Sequence, residues 1–522
     1  MHLGVRGSRP YASTRDRLVG NRQKGTVPAR SFNQKAVVGV VFVSAMFMNI
    51  MDITIVNVAL PTIGRDFHVA PTAVDGVVIA YLVSLAVFIP ASGWMGDRFG
   101  GKRVLLGAIV VFTAGSALCG LAQDMTQLVA FRIVQGAGGG MMAPVGMAML
   151  FRVFPPSERV RAASILTLGT TIAPALGPVL GGLLVTNFSW RWVFFVNVPI
   201  GIAAVIFGSL YLERTEPIDA GRFDRPGFVL GGAGLGLLMY GVSEGPLRSW
   251  SSPSVLAACT AGVVLLGVFT VVELHTTQPM VDLRLLSGRL FRSTNCVMFL
   301  AAAAFLGTLY LIPLYFQDAR GMSALQSGLS TFPEAIGVMI GAQAASRLIY
   351  PRIGPRRHIT AGLIGIALFM LALTQIGIDT DLWLVRALMF GLGFMMAQVM
   401  VPNQAASFAM ITPASMGRAS TFFNTMRQVG SATGVAVLST VLIGVGSAQG
   451  SGGAGTASPD LVAYHLAFLA AAVFALAGVI FSLSIHDSDA AETIVRRRDI
   501  RPRRHDVERE AEPVPMPRAT TA

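Results

Sequence analysis

From residue 36 onward the chain alternates between apolar stretches of roughly 20 residues and short polar, glycine- or proline-bearing breaks. A helix rises about 1.5 Å per residue, so each stretch is long enough to cross the ~30 Å hydrocarbon core of a bilayer. Reading the stretches between breaks predicts about fourteen helices. They fall over 36–60, 77–95, 103–122, 127–150, 162–185, 192–211, 226–244, 254–274, 294–316, 327–347, 359–377, 382–407, 420–445 and 463–484.

Composition agrees with the pattern. Of 522 residues, 53% are hydrophobic and 13% charged, and the mean hydropathy is +0.63. A soluble chain of this size has no core large enough to enclose that much apolar surface. The expected fold class is an all-α polytopic membrane protein. Lys and Arg number 40 against 27 acids, a net charge of +13. On a soluble protein that excess would suggest nucleic acid. Here it sorts by topology, and no nucleic-acid partner is expected. With both termini cytoplasmic, nearly all the basic residues fall on the inner side. Four, Arg65, Arg191, Arg248 and Arg320, fall outside, and Arg132 and Arg386 fall within spans. That is the positive-inside bias. It implies a multi-pass protein of the cell (inner) membrane in contact with lipid. Cys119, Cys259 and Cys296 lie in apolar segments without ligand spacing, which argues against a disulfide framework or metal site.

The first 35 residues are Arg-rich. The apolar block behind them is too long for a signal-peptide core and no small-residue cleavage site follows, so an uncleaved first helix is expected behind a disordered basic tail (1–35). The charged, Pro-bearing segment 485–522 is likewise expected to be a disordered cytoplasmic tail.

A shift of about 254 residues overlays two regions. "DRFGGKR" at Asp97–Arg103 falls on "PRIGPRR" at Pro351–Arg357, Arg132 on Arg386, Gly139 on Gly393, and "MMA" at Met141 on "MMA" at Met395. Agreement of several short matches at one offset predicts two related six-helix halves, 36–211 and 294–484, with a pair of helices inserted between them at 226–274. Transporters built from repeats place substrate near the midplane between the halves and expose it to each side in turn. The inserted pair has no counterpart in the repeat and is expected to be peripheral and a monomer to suffice.

Chemistry-bearing residues stand out against this background. Asp52 sits in "MNIMDITIVNVALPTIG" (Met48–Gly64), roughly 24 Å from the inner end of the first helix. A charge in hydrocarbon costs about 2.5–3.5 kcal/mol on insertion scales, and desolvation favours a neutral carboxyl group. Such an acid can carry a proton as access alternates; the alternative is a buried acid hydrogen-bonded for helix packing. Asn49, one turn earlier, is available to orient it, and Asn57 is a further polar position for substrate. Arg132, near the outer end of the fourth helix in "FRIVQGAGGGMMAP", needs a partner, a polar cavity, or a route to the outer surface. In "GTTIAPALGPVLGG", Gly169, Ala173, Gly177 and Gly181 recur every four residues as one close-packing stripe, and Pro174 and Pro178 each remove a backbone hydrogen bond. In "GWMGDRFGGKRVLL", Gly93 and Gly100 permit a tight turn, Asp97 is placed to pair with Arg98 or a neighbouring helix end, and Arg98, Lys102 and Arg103 are basic loop residues. Glu334 follows Pro333 in the tenth helix. It faces either the central cavity, where it would attract cationic compounds, or the outer interface.

The "GWMGDRFGGKR" loop resembles the signature loop of the major facilitator superfamily, which implies a conformational latch. "GPVLGG" resembles the motif of that superfamily's proton-coupled exporters, and "FRIVQG" its fourth-helix motif, where the Arg is tied to proton transfer. "MDITIVNVALP", "WRWVFFVNVPIG", "YFQDARGMSALQSGLSTFPEAIG" and "GRASTFFNTMRQVGSATGVAV" together resemble the fourteen-helix drug:proton antiporters of the EmrB/QacA type. The resemblance implies two six-helix bundles plus two extra central helices, no cofactor beyond a proton gradient, and export of amphipathic, often cationic, small molecules. The chain departs at the start of the second helix, where Asp75-Gly76 replaces a frequent Gln-Trp and Ile79 stands where some members carry a second acid. Rival readings are an exporter dedicated to one natural product, an importer or facilitator of a metabolite, and a membrane enzyme or sensor. No nucleotide-binding loop or metal cluster supports the last.

Overall fold

The computed structural model describes residues 33–494 except 70, 215–216, 218–220 and 450–460. Most of both expected tails (1–32 and 495–522) lies outside the described residues. Those described form fifteen α-helices and no strand. They are α1 Gln34–Asp66, α2 Pro71–Phe99, α3 Gly101–Leu121, α4 Met125–Val153, α5 Arg159–Asn187, α6 Trp192–Phe195, α7 Asn197–Tyr211, α8 Arg225–Arg248, α9 Pro253–His275, α10 Arg289–Leu314, α11 Ala324–Ala344, α12 Tyr350–Leu373, α13 Leu382–Ser407, α14 Met416–Gln449 and α15 Leu461–Leu483. The short α6 and α7 together make one crossing, Trp192–Tyr211.

Thirteen helical runs among the described residues are long and apolar enough to span a bilayer. One of them, Gln326–Leu373, has 48 residues, about 70 Å of straight helix and over twice a bilayer core. It folds back at Gly354, whose φ of 74° and ψ of 171° belong to a region essentially reserved for glycine. This run therefore holds two crossings, α11 and α12, and the total is fourteen. The sequence reading ended the tenth span at 347 and opened the next at 359. Although Pro351, Gly354 and Pro355 lie between them, the chain stays helical through a π turn at Ala345–Ile349 and on to Gly354, with Pro351 in the first turn of α12, where its missing N–H costs little.

Gly100 occupies the matching place between α2 and α3, with φ 86°, and it is the residue the repeat aligns with Gly354. Packing repeats as well. α1 packs on α5 as α10 packs on α14; α2 on α4 as α11 on α13; α3 on α4 and α7 as α12 on α13 and α15. The result is two six-crossing bundles, α1–α7 and α10–α15.

The inserted pair is not wholly peripheral. α9 is the outer member. α8 rests on both α2 and α14 and so lies along the line where the bundles meet. Gly232 and Gly236 bring it against Val87 and Val83 of α2, and Leu235 and Met239 share an apolar cluster with Ala86, Val429 and Ala432. At one end Trp250 Nε1 donates to Thr440 Oγ1 of α14 at 2.7 Å; at the other Asp282 pairs with Arg418 of α14 at 3.9 Å.

One end of the molecule, hereafter the basic face, gathers the start of α1, the α2–α3 and α4–α5 turns and the end of α15. Gln34 Nε2 donates to Tyr211 O (2.9 Å), Lys35 pairs with Glu158 (2.6 Å), and Asp487 accepts from Arg356 N (2.9 Å). Residues 485–494, expected as part of a disordered tail, are packed: Asp487–Thr493 forms a 3-10 helix, and Thr493 bonds Tyr350 Oη at 2.6 Å.

At this face the two bundles are shut against each other. Arg159 of α5 donates to the carbonyls of Phe408 and Ala409 (3.1 Å to the latter) at the end of α13. Arg152 Nε donates to Pro413 O at 3.2 Å. Ser420 Oγ donates to Pro144 O at 2.7 Å, Asn424 Nδ2 reaches Met147 Sδ at 3.5 Å, and the Phe151 and Phe408 rings stack at 4.7 Å.

Candidate functional site

Asp52 and Arg132, 80 positions apart in sequence, meet inside the first bundle. Arg132 Nη1 lies 2.5 Å from Asp52 Oδ2, and both side chains are fully buried. Arg132 begins an R-x-x-Q pair on α4. Residues three apart share a helix face, so Gln135 lies beside it: its Oε1 accepts from Arg132 Nη1 at 2.8 Å, and its Nε2 donates to Asp52 Oδ1 at 2.8 Å. Asn197, first residue of α7, donates to the same Oδ1 at 3.2 Å and to Ser116 Oγ at 3.1 Å. Ser116 Oγ in turn donates to Phe194 O at 2.8 Å. Arg132 Nε donates to Val77 O (3.2 Å), and its guanidinium lies 4.1 Å over the Tyr81 ring. Cys119 sits at the edge, 3.6 Å from Gln135 Oε1, a buried small side chain as its sequence context predicts.

The cluster has two chemical properties. Every contact Asp52 makes is one in which it accepts, and its donors come from two other helices. Yet Arg132 Nη2, Tyr81 Oη and Asn197 Oδ1 have no hydrogen-bond partner among the described residues. Unsatisfied buried groups cost about 1–3 kcal/mol each, so the ring holds polar atoms with a rearrangement still open to them. A buried ion pair of this sort is poor evidence of stability and better evidence of a role.

Asn49 does not orient Asp52. Its Nδ2 donates instead to Gly139 O of α4 at 3.1 Å. Gly139 permits this approach, because a Cβ there would come within 2.7 Å of that nitrogen and 2.9 Å of Tyr81 Oη. Asn57 is exposed and stands apart from the cluster. Gln135 and Asn197 orient the Asp52 carboxylate, the part expected of Asn49, and Tyr81 backs Arg132. The first was legible in the R-x-x-Q spacing; the other two come from helices whose contact with α1 no local pattern encodes.

The small-residue stripe of α5 lies against α1 just beyond Asp52. A Cβ on Gly177 would fall 2.0 Å from Thr54 Oγ1, and one on Gly181 3.1–3.2 Å from Ile55 and Val58. Pro174 is half-buried in the same helix, while the side chains of residues 169 and 178 lie outside the described ones.

Asp97 does not pair with Arg98, whose side chain leaves the helix in another direction and is exposed. It accepts from Arg152 Nη2 of α4 at 2.6 Å and abuts α14, where a Cβ on Gly417 would lie 2.8 Å from its carboxylate. Gly93 likewise lets α2 approach Gly417 O and Thr421. Lys102 donates to Ser209 O (2.9 Å) and Leu212 O, whereas Arg103 is exposed. The loop thus joins α2 and α4 to each other and presses them on the opposite bundle.

Glu334 is not at an outer interface. It is 6% exposed, on the side of α11 away from the exposed stripe of Leu329, Phe332, Ile336 and Ile340. Its carboxylate makes no hydrogen bond or ion pair to a described residue. One further charge belongs with those inside spans: Arg427, enclosed by the span 420–445 but counted with the basic side, lies well inside α14.

The chain is 32% identical over 407 residues to a "Multidrug resistance protein B homolog" of Mycobacterium tuberculosis, covering 77% of this chain and 75% of that one. It is 35% identical over 341 residues to a "Putative multidrug resistance protein MdtD" of Salmonella paratyphi A, covering 64% and 70%. In fold it is similar to the human organic anion transporter MFSD10 (TETRAN), with a TM-score of 0.60 at 15% identity over 86% of this chain and 99% of that one. The signature of the Major Facilitator Superfamily matches residues 42–435, and the chain belongs to that superfamily.

Proposed function

We propose that this drug-efflux-type transporter is a proton-coupled antiporter that exports amphipathic compounds by alternating access, with its basic face in the cytoplasm. The observation that carries the reading is the acceptor-only coordination of a fully buried Asp52 by Arg132, Gln135 and Asn197. A proton added to Asp52 arrives where donors already point. It therefore cannot be accommodated without parting the ion pair, and proton load and ring geometry become mutually exclusive.

A path for that change leads out of the ring. Asp52 is less than one turn from Thr54 and Ile55, which meet Gly177 of α5, and α5 packs on α11 and α13 of the other bundle. A shift at Asp52 thus reaches the line along which the bundles rock. Each charge moved across 100 mV supplies about 2.3 kcal/mol, and the pH gradient adds to it. The latch of Asp97, Arg152 and Arg159 holds the basic face shut in the conformation described, which leaves the ring to exchange protons with the far side. Glu334, buried and without a described partner, is the acid proposed to meet cationic groups on substrates.

Inverted vesicles carrying a preset pH gradient test the reading. Addition of a lipophilic cation such as ethidium is expected to draw protons out through the wild type and not through Asp52→Asn. An Asp52→Asn protein present at wild-type level that still couples dye movement to proton flux would refute it.

A further inference from the structure

Arg427 lies about three turns inside α14, some 16 Å from Met416. It stands seven residues beyond Ser420. Seven residues are two turns less about 20°, so the two side chains leave the helix in nearly the same direction. That direction is fixed by contacts: Ser420 donates to Pro144 O of α4, and Asn424 to Met147 Sδ. By this phase Arg427 lies on the face of α14 that meets the first bundle, about 10 Å deeper than Ser420 and about 4–5 Å deeper than Asn424.

Its surroundings are unusual for a guanidinium. Its side chain is half-buried, on the α14 face turned to the other bundle. No hydrogen bond or ion pair joins its guanidinium to a described residue. The acids of the two bundles' membrane interior are committed elsewhere: Asp52 to Arg132, Asp97 to Arg152. Glu334 forms no ion pair with it. An intramembrane Arg without a counter-charge is costly, and its planar fork of donors is matched best by a carboxylate.

We propose that Arg427 is the recognition group for a carboxylate on the transported compound, so that the protein admits anionic and zwitterionic amphipaths besides cations. This rests on the exporter reading and names a substrate class for it. The test compares uptake of carboxyfluorescein and ethidium into inverted vesicles bearing wild type, Arg427→Gln or Arg427→Lys, with thermal unfolding in detergent as the check on folding. The wild type is expected to accumulate carboxyfluorescein. Arg427→Gln is expected to lose about tenfold or more of that uptake while keeping ethidium uptake, and Arg427→Lys to retain an intermediate rate. A wild type that moves ethidium alone overturns the inference, as does carboxyfluorescein uptake indifferent to Arg427→Gln, or equal loss of both dyes in a variant that unfolds like the wild type. A wild type that moves neither dye refutes the exporter reading itself.

Discussion

Removing the guanidinium of Arg159 is expected to tip the molecule toward the state open at its basic face. Arg159 belongs to α5, and its acceptors, Phe408 O and Ala409 O, close α13 of the other bundle. These carbonyls carry the negative end of the α13 dipole, so a cation suits them twice over. The side chain is 5% exposed, and little solvent is available to replace the bonds if they are cut. A hydrogen bond to a charged group contributes about 1.5–3 kcal/mol. Neither acceptor can be reached once the bundles part, so this energy belongs to one conformation alone. Arg159→Met keeps the stem and deletes the donors. Losing one such bond shifts the closed-to-open ratio by about 10- to 150-fold. A cysteine at Ala148, a buried position (4% exposed) beside Asp97 and Gly417, reports the opening in a background without Cys119, Cys259 and Cys296. Alkylation of Ala148→Cys by an impermeant maleimide from the basic face is expected to accelerate by that factor when Arg159→Met is added. Unchanged alkylation kinetics would mean that Arg159 does not hold the bundles together, and the latch would have to reside in Asp97 and Arg152 alone.

Two further outcomes follow from close approaches. Gly177→Ala places a Cβ 2.0 Å from Thr54 Oγ1 and 2.7 Å from Thr54 Cβ, so α5 must leave α1; proton-driven dye uptake is expected to fall at least tenfold, and Thr54→Gly to restore part of it, whereas an unaffected Gly177→Ala would uncouple the stripe from transport. Gly354→Ala forces a Cβ into the glycine-only region and within 2.9 Å of the Asp487 carboxylate; about 1–3 kcal/mol of stability is expected to go, read as a lowered thermal midpoint in detergent, and a midpoint equal to the wild type would show the turn is not strained.

The crossings were legible because a bilayer imposes its own ruler, a near-uniform length of apolar helix. The repeat was legible for a related reason. Gly100 and Gly354 carry the same backbone demand, and a demand only glycine meets persists as a matching letter. The α11–α12 junction was misread because a π turn leaves no compositional mark. The partners of Asp52 were only half legible. Gln135 shares a helix face with Arg132, but Asn197 comes from α7, and nothing within either segment says they touch. Asn49 misled through proximity, since a residue one turn away can equally reach a neighbouring backbone. Arg427 was legible, since the span 420–445 encloses it, but a count of charges by side assigned it to a face without asking how deep it sits.

The position of α8 also decides which flank of the molecule is open to lipid. Two lines separate the bundles, one between α2 and α14 and one between α5 and α11. α8 roofs the first, tied to α14 through Trp250 just past its end and cushioned on α2 by glycines. The second line has no such cover among the described helices. The two flanks of the molecule therefore differ: one presents a third helix to the lipid, the other the seam itself, and it is the inserted α8 that breaks the symmetry.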